Sequence, residues 1–329
     1  MADYKGIQGY TVQNLSDDPG TLADVAGQLW YNSSTGKFKV AEIGAAAWSS
    51  ATATPTALMH GGAAGTATAA LTFGGNDPSP VAVTFEYDGT NWTSGGAYPI
   101  SQNRSSGFGT QTAALSSGGN IPPYSDTSNT YNGASWTAGP TLNTARNAAP
   151  AFGTQTAAVM AGGWTAPTRV TTVEEFNGTS WTTATSIPTA KADGGGGGTS
   201  TAGLSFLGTY TPGGGGRTTA SFAYNGTSWT VTNACNTARS GCGSGGTAPT
   251  TTMTYGGEAS GYHALTEQFD GTSWTEVADL GTAKQGIFNP LSQATQAAQL
   301  CIMGDTGVAL TAVEEWSGSP RPTKTVTVS

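Results

Sequence analysis

The sequence predicts an all-β chain in which one small sheet is written over and over, and three observations predict it. A hairpin signature returns as YDGTNW from Tyr87, YNGASW from Tyr131, FNGTSW from Phe176, YNGTSW from Tyr224 and FDGTSW from Phe269. The tryptophans Trp48, Trp92, Trp136, Trp181, Trp229 and Trp274 are separated by 44, 44, 45, 48 and 45 residues, the period of a repeat architecture. Finally, 329 residues with 49 glycines and only 10% charged side chains contain no long Leu/Glu/Lys-rich window with a 3.6-residue period. The glycines follow neither a three-residue period nor a single tract, which excludes a collagen-like or wholly disordered chain.

Each hairpin follows from its residues. Asn-Gly and Asp-Gly favour tight turns because both central positions tolerate positive φ, and the twist of such turns suits flanking antiparallel strands. The Tyr or Phe before the turn and the Trp after it supply large apolar bodies for packing on a neighbouring sheet. Upstream lies an apolar strand ending in glycines: TAALTFGG at 68–75, TAALSSGG at 112–119, TAAVMAGG at 156–163 and TTTMTYGG at 250–257. TAGLSFLG at 201–208 and AAQLCIMG at 297–304 are drifted copies. Downstream comes NTAR, PTAK or GTAK, then a further short strand ending in FGTQTAA at 108–114 and 152–158. Each unit is therefore four short strands. The terminal copies are worn: VAEIGAAAW precedes the first unit, and EEWSGSPR places Trp316 at the Tyr/Phe position and Arg321 at the Trp position.

This register resembles the kelch motif, in which a di-glycine closes the second strand, an aromatic residue ends the third and a Trp sits on the fourth. The resemblance covers about residues 40–321 and implies a β-propeller of four-stranded blades packed around a channel. Short Asn-Gly turns replace the longer hairpin loop common in kelch proteins. A sialidase-type Asp-box fits less well, because Asp88-Gly89 and Asp270-Gly271 are adjacent, whereas that motif spaces the two residues by one. Six second strands against seven hairpins give six blades, closed if the strand near Trp48 joins the sheet begun by the last repeat; seven blades is the alternative. The tail RPTKTVTVS is left as an outer strand or an extension.

Arg146, Lys191, Arg239 and Lys284 lie ten residues past a repeat tryptophan, and Arg104 lies twelve past Trp92. Taken together as one place at the start of each inner strand, these five cations are the candidate binding register, encircling one mouth of the channel as an anion-attracting ring. The competing expectation is that each pairs with a carboxylate or carbonyl of its own or the next blade, for instance Glu86, Glu175 or Glu315. Leu58 at the equivalent place of the first blade argues against a strict sixfold site.

Catalysis is not expected. Kelch resemblance brings with it the possibility of a galactose-oxidase-like copper site, but His60 and His263 are the only histidines and stand in different registers. Glycoside cleavage needs two carboxylates about 5–10 Å apart, and Glu174-Glu175 point to opposite faces of a strand. GGGGG at 194–198 and GGGG at 213–216 lack the Lys-Ser/Thr of a phosphate loop and read as flexible blade loops. Cys235, Cys242 and Cys301 form no C-x-x-C pair and read as buried free thiols. No catalytic residue, metal or cofactor is assigned.

Net charge is −8 with no basic cluster, which excludes a duplex-binding surface. No apolar run reaches the roughly 18 residues of a membrane span, and the N-terminus has no signal-peptide core. The first 37 residues form an arm and hairpin, and residues 38–329 the propeller. Within VAGQLWYNSSTGKFKV, the residues Gly27, Leu29, Trp30, Tyr31, Asn32, Gly36, Lys37 and Phe38, with Trp48, resemble a short motif of bacteriophage tail-fibre and other virion proteins. That resemblance implies a non-enzymatic structural protein made in the host cytoplasm and carried in the virion in several copies. Its place would be the tail apparatus or tail fibres, bound to other virion proteins through the N-terminal segment and serving host attachment. A glycan-binding lectin or adhesin and a capsid decoration protein are the alternatives, and a host surface glycan is the candidate further partner.

Overall fold

The computed structural model describes residues 13–16, 29–41, 46–121, 124–210, 216–288, 290–318 and 323–326. The chain forms two compact units, residues 48–316 and a second one assembled from both chain ends, residues 1–47 and 317–329. The boundary expected after residue 37 thus moves to Trp48, and the tail joins the N-terminal unit. In the smaller unit Gln13–Leu15 runs parallel to Leu29–Asn32, which pairs antiparallel with Lys37–Ala41, which in turn pairs antiparallel with Thr323–Val326. The hairpin turn is set by Asn32, whose Oδ1 accepts the Thr35 amide at 2.9 Å, and by Gly36 at φ +67°. Tyr31 and Phe38 pair across it with ring centroids 5.2 Å apart. Arm residues 1–12 and 17–28, including Gly27 of the motif, and Arg321 lie outside the described residues.

The larger unit is a six-bladed β-propeller. Blade 1 comprises Gly62–Gly65, Ala70–Phe73, Thr84–Tyr87 and Trp92–Ser94, and blade 2 Ser106–Thr110, Ala113–Ser117, Ser128–Tyr131 and Trp136–Ala138. Blade 3 comprises Ala151–Gly153, Ala158–Ala161, Val173–Phe176 and Trp181–Ala184; blade 4 has Gly195–Thr199, Ala202–Phe206, Ser221–Tyr224 and Trp229–Thr232. Blade 5 comprises Gly243–Gly245, Met253–Tyr255, Thr266–Phe269 and Trp274–Val277. Blade 6 is built from both chain ends, with Ala298–Ile302 and Val313–Ser317 followed by Ala47–Ala51 as the outer strand. Val313–Ser317, from the EEWSGSPR copy, takes the third-strand place and Ala47–Ala51, from the worn first copy, the outer place, so these two copies share one blade. Trp316 and Trp48 meet with ring centroids 5.5 Å apart, as aromatic and Trp do in every other blade.

The ring closes through one repeated bond. The residue two past each second strand donates its amide to the carbonyl ten residues past that blade's Trp: Gly75 to Gln102, Gly119 to Arg146, Gly163 to Lys191, Gly208 to Arg239, Gly257 to Lys284 and Gly304 to Leu58, all 2.8–3.2 Å. The last bond joins blade 6 to blade 1. Positive φ is required just before this donor, and where glycine is replaced Leu207 and Met303 keep φ at +55° and +56°. The drifted copies thus preserve the backbone and lose only the letter.

Two expectations about glycine are corrected. The Asn/Asp-Gly hairpins are not two-residue turns: Tyr87 pairs with Trp92 and Tyr131 with Trp136, leaving four loop residues. Asn or Asp closes the loop by accepting two amides, as Asp88 does from Thr90 at 2.8 Å and Asn91 at 2.7 Å, and only the glycine takes positive φ. The run 194–198 is not a flexible loop either, since Gly195–Thr199 is the inner strand of blade 4. Near the axis, inner strands crowd so closely that a Cβ on Gly196 would stand 2.3 Å from the Ala151 carbonyl oxygen, and one on Gly195 would stand 2.3 Å from the Phe206 ring. Residues 213–215 of the second run lie outside the described residues.

The tryptophans join blades laterally. Each lies against the aromatic residue of its own third strand and reaches the preceding blade, where Trp136 meets Phe73 at 5.0 Å, Trp181 meets Phe108 at 6.1 Å and Trp274 meets Phe206 at 4.8 Å. Their indole N–H groups follow: Trp136 donates to Thr84 Oγ1, Trp181 to Ser128 Oγ and Trp48 to Thr266 Oγ1, at 2.9–3.0 Å. Glutamines of FGTQTAA add a clasp that the sequence had not disclosed, with Gln155 Nε2 donating to the carbonyls of Ala114 and Tyr131 at 3.0 and 2.8 Å. Gln111 and Gln296 do the same to their preceding blades. Replacing the buried Trp181 with alanine opens one blade joint and leaves a cavity; a loss of about 3–5 kcal/mol is expected in urea unfolding, and Trp181→Phe, which keeps a ring but not the N–H, should lose markedly less.

Candidate functional site

The two ends of the channel are built differently. At the end where inner strands begin, six residues twelve past each Trp take the left-handed conformation: His60, Arg104, Ala148, Asp193, Gly241 and Gly286, with φ between +51° and +65°. Five backbone hydrogen bonds link them in succession, with amides of His60, Arg104, Ala148, Asp193 and Gly241 donating to carbonyls of Gly286, His60, Arg104, Ala148 and Asp193 at 2.6–3.0 Å. Glycine is needed at 286 because a Cβ there would lie 2.9 Å from both His60 Cε1 and Asp305 Oδ2. At the opposite end the chain of blade 6 crosses the opening. Leu291 N donates to Ser244 O at 3.0 Å, Gln293 N to Gly65 O at 3.2 Å, Gln293 Nε2 to Gly153 O at 3.4 Å, and Ser292 Oγ accepts from Gly109 N at 3.1 Å. Four blades are thereby tied to one plug.

Between ring and plug lies a cavity of about 60 Å³ bordered by His60, Arg104, Ser105, Asp193 and Cys242. Arg104 Nη1 is ion-paired with Asp193, and its Nη2 stands 3.5 Å from His60 Nε2. Burial, and then the Arg104 charge, lower the His60 pKa to about 4 against the opposing pull of Asp193. The imidazole is accordingly neutral at pH 7. His263 sits elsewhere, on the loop after the blade 5 di-glycine, and no cluster of three or more His, Cys, Asp or Glu side chains gathers among the described residues. All three cysteines are free and buried.

The structure divides the five-cation register. Arg104 is at the mouth, with its side chain 30% exposed, because it belongs to the position twelve past Trp92. Its expected equivalents Arg146, Lys191, Arg239 and Lys284 have no exposure at all and lie inside their blades; they do not encircle the mouth. The true counterpart of Arg146 in blade 2 is Gln102, which donates to the Gly118 carbonyl at 3.1 Å, as Arg146 does to Gly162 at 2.8 Å. Arg146 pairs with Glu174 at 2.7 Å, Lys284 with Glu314 at 3.0 Å, and Arg239 with Glu267. These carboxylates are one residue away from, or in other blades than, those anticipated: Glu86 accepts the Tyr131 hydroxyl and Glu175 accepts that of Tyr224 at 2.6 Å.

Lys191 breaks the pairing. The residue facing it is Phe222, whose ring centroid lies 5.0 Å from Nζ, and Nζ has no hydrogen-bond partner. Burial lowers its pKa from 10.5 to about 7, with Cys235 and Cys242 opposing. Burial acts on Lys284 too, but Cys301 and Glu314 outweigh it and hold that ammonium above its ordinary value.

A second concavity, of about 270 Å³, opens on the mouth side over blades 2 to 4 and is lined by Arg104, Asn120, Tyr124, Asn147, Trp164 and Arg169, with Asp193. Apart from Arg104, sequence reasoning missed these residues. They stand on loops after the second strands and beside the inner-strand starts, and no repeat marks their side chains.

No protein-family model matches the chain, and no curated protein matches it. Solved structures do. One, the structure of YjhT, superposes with a TM-score of 0.67 over 84% of this chain and 99% of that one, at 13% identity. The likeness is one of fold. At that identity it carries the propeller and nothing of YjhT's chemistry.

Lys191 gives a pH-dependent expectation. Below pH 7 the ammonium is charged folded and unfolded, so folding bears the whole cost of burying it. Between about 7 and 10.5 the unfolded chain holds a proton that the folded chain lacks, and stability rises with pH. Lys191→Met should therefore stabilise by about 1–4 kcal/mol at pH 6, with a smaller gain at pH 9, read from urea midpoints. Arg146→Met should do the reverse and cost about 3–5 kcal/mol, because it strands the buried Glu174.

Proposed function

We propose that this chain is a kelch-type propeller protein of a bacteriophage virion, a non-enzymatic component of the tail apparatus or tail fibres that presents its propeller for host attachment. One observation carries the reading: both chain ends leave the propeller at blade 6 and combine in a separate small sheet, and that sheet contains the LWYN–KFKV hairpin that resembles tail-fibre proteins. On this reading other virion proteins are engaged through the terminal unit, and the propeller is the part presented to the host. The residues invested in the ring are pairing and packing groups, and the rigid backbone they hold suits a load-bearing display platform.

Particles assembled with a chain lacking residues 1–37 test this. The truncated chain should unfold with the propeller's own transition in the lysate yet be depleted from purified particles by mass spectrometry. Undiminished incorporation, or absence of the full-length chain from particles, would sink the assignment.

A further inference from the structure

The cleft over blades 2 to 4 has the make-up of a ligand site. Trp164 follows the di-glycine of blade 3 and pairs across a short hairpin with Arg169. The Arg169 guanidinium lies over the indole at 4.6 Å, and its Nε donates to Thr209 Oγ1 of blade 4 at 2.8 Å. It is thus held from two sides. Its neighbour Arg104 is committed to Asp193, but no carboxylate among the described residues pairs with Arg169. The cleft consequently carries one uncompensated, pre-oriented cation beside two amides, Asn120 and Asn147, and two partly exposed aromatic rings, Tyr124 and Trp164.

We infer that this cleft binds a sugar unit bearing a carboxylate, a hexuronate residue of a glycan. A planar guanidinium held with its terminal nitrogens uncommitted matches a carboxylate in a two-pronged bond, which a mobile ammonium would not do. Asn120 and Asn147 offer donors and acceptors together, as hydroxyl recognition requires, and the ring of Tyr124 offers an apolar face for the C–H side of a pyranose. The volume of about 270 Å³ falls at the small end of ligand pockets, which start near roughly 300 Å³, and suits one sugar ring with the rest of a chain projecting outward. A bare inorganic anion would leave the amides and aromatic rings unused. This deepens the attachment reading above and rests on it only for placing the glycan on a host; the cleft chemistry stands without particles.

Calorimetric titration of the full chain with D-glucuronate, D-galacturonate, D-glucose and inorganic phosphate tests it. At least one uronate should bind saturably, one per chain, roughly tenfold or more tighter than glucose or phosphate, a difference of about 1.4 kcal/mol or more, and should weaken with added salt. Arg169→Gln should remove most of the preference for uronate over glucose, whereas Arg217→Gln, at an arginine paired with Glu258 outside the cleft, should not. Equal circular dichroism and unfolding midpoints would show that both variants fold. Absence of uronate binding, equal affinity for glucose, equal affinity for phosphate, or an Arg169→Gln variant that binds unchanged would each overturn the inference. None of these bears on incorporation into particles, so the two readings fail separately.

Discussion

Six copies of one hydrogen bond, from the amide two past a second strand to the lead-in carbonyl of the next blade, set the geometry that everything else obeys. A single such bond contributes only about 0.5–1.5 kcal/mol net, but a buried amide left without its acceptor costs roughly 1–3 kcal/mol. Opening one joint also uncovers the aromatic flanks of the two sheets that meet there, which makes the ring a cooperative object rather than a row of independent sheets. The bond from Gly304 to Leu58 does across the chain ends what five others do along the chain, and blade 6, shared between residues 47–51 and 298–317, lets it form.

That geometry explains both what could be read from the sequence and what could not. Tryptophans at a 44- to 48-residue spacing mark blades because each Trp must meet the same neighbours, so blade number and closure by the strand at Trp48 were legible. The glycine run at 194–198 reads as a loop from local composition alone, and as a strand only with the period. Its place in the repeat is that of an inner strand, where the axis excludes Cβ atoms. The Asn/Asp-Gly turn had the right residues and the wrong mechanism, since capping two amides with a side-chain oxygen achieves the reversal without a second positive φ.

The cation register teaches a finer point. Period alone locates a position; whether its side chain is buried depends on the backbone two residues on, where the left-handed residue redirects the chain. Arg104 and Arg146 look equivalent in a string and are not, because one occupies the redirecting position and the other lies two residues before it. In three blades the buried place is matched to a carboxylate on the third strand, giving Arg146 with Glu174, Arg239 with Glu267 and Lys284 with Glu314. Lys191 facing Phe222 departs from this, and it leaves an ammonium with a ring face where a carboxylate belongs.

A backbone that is sixfold need not present a sixfold surface. The residue after each second-strand closure pairs with the residue before each left-handed one: Met59 with Asn76, Asn103 with Asn120, Asn147 with Trp164, Ala192 with Thr209, Ser240 with Glu258 and Gln285 with Asp305. The pairing is main chain to main chain, so it places no demand on the side chains, and these differ from blade to blade while those of the joints repeat. Residues 291–293 cross the far end of the channel, so this varied face lies at the end opposite that crossing. Side chains can then change there by single substitutions without disturbing the six bonds that hold the ring, and the cleft around Trp164 and Arg169 lies where the repeat falls silent.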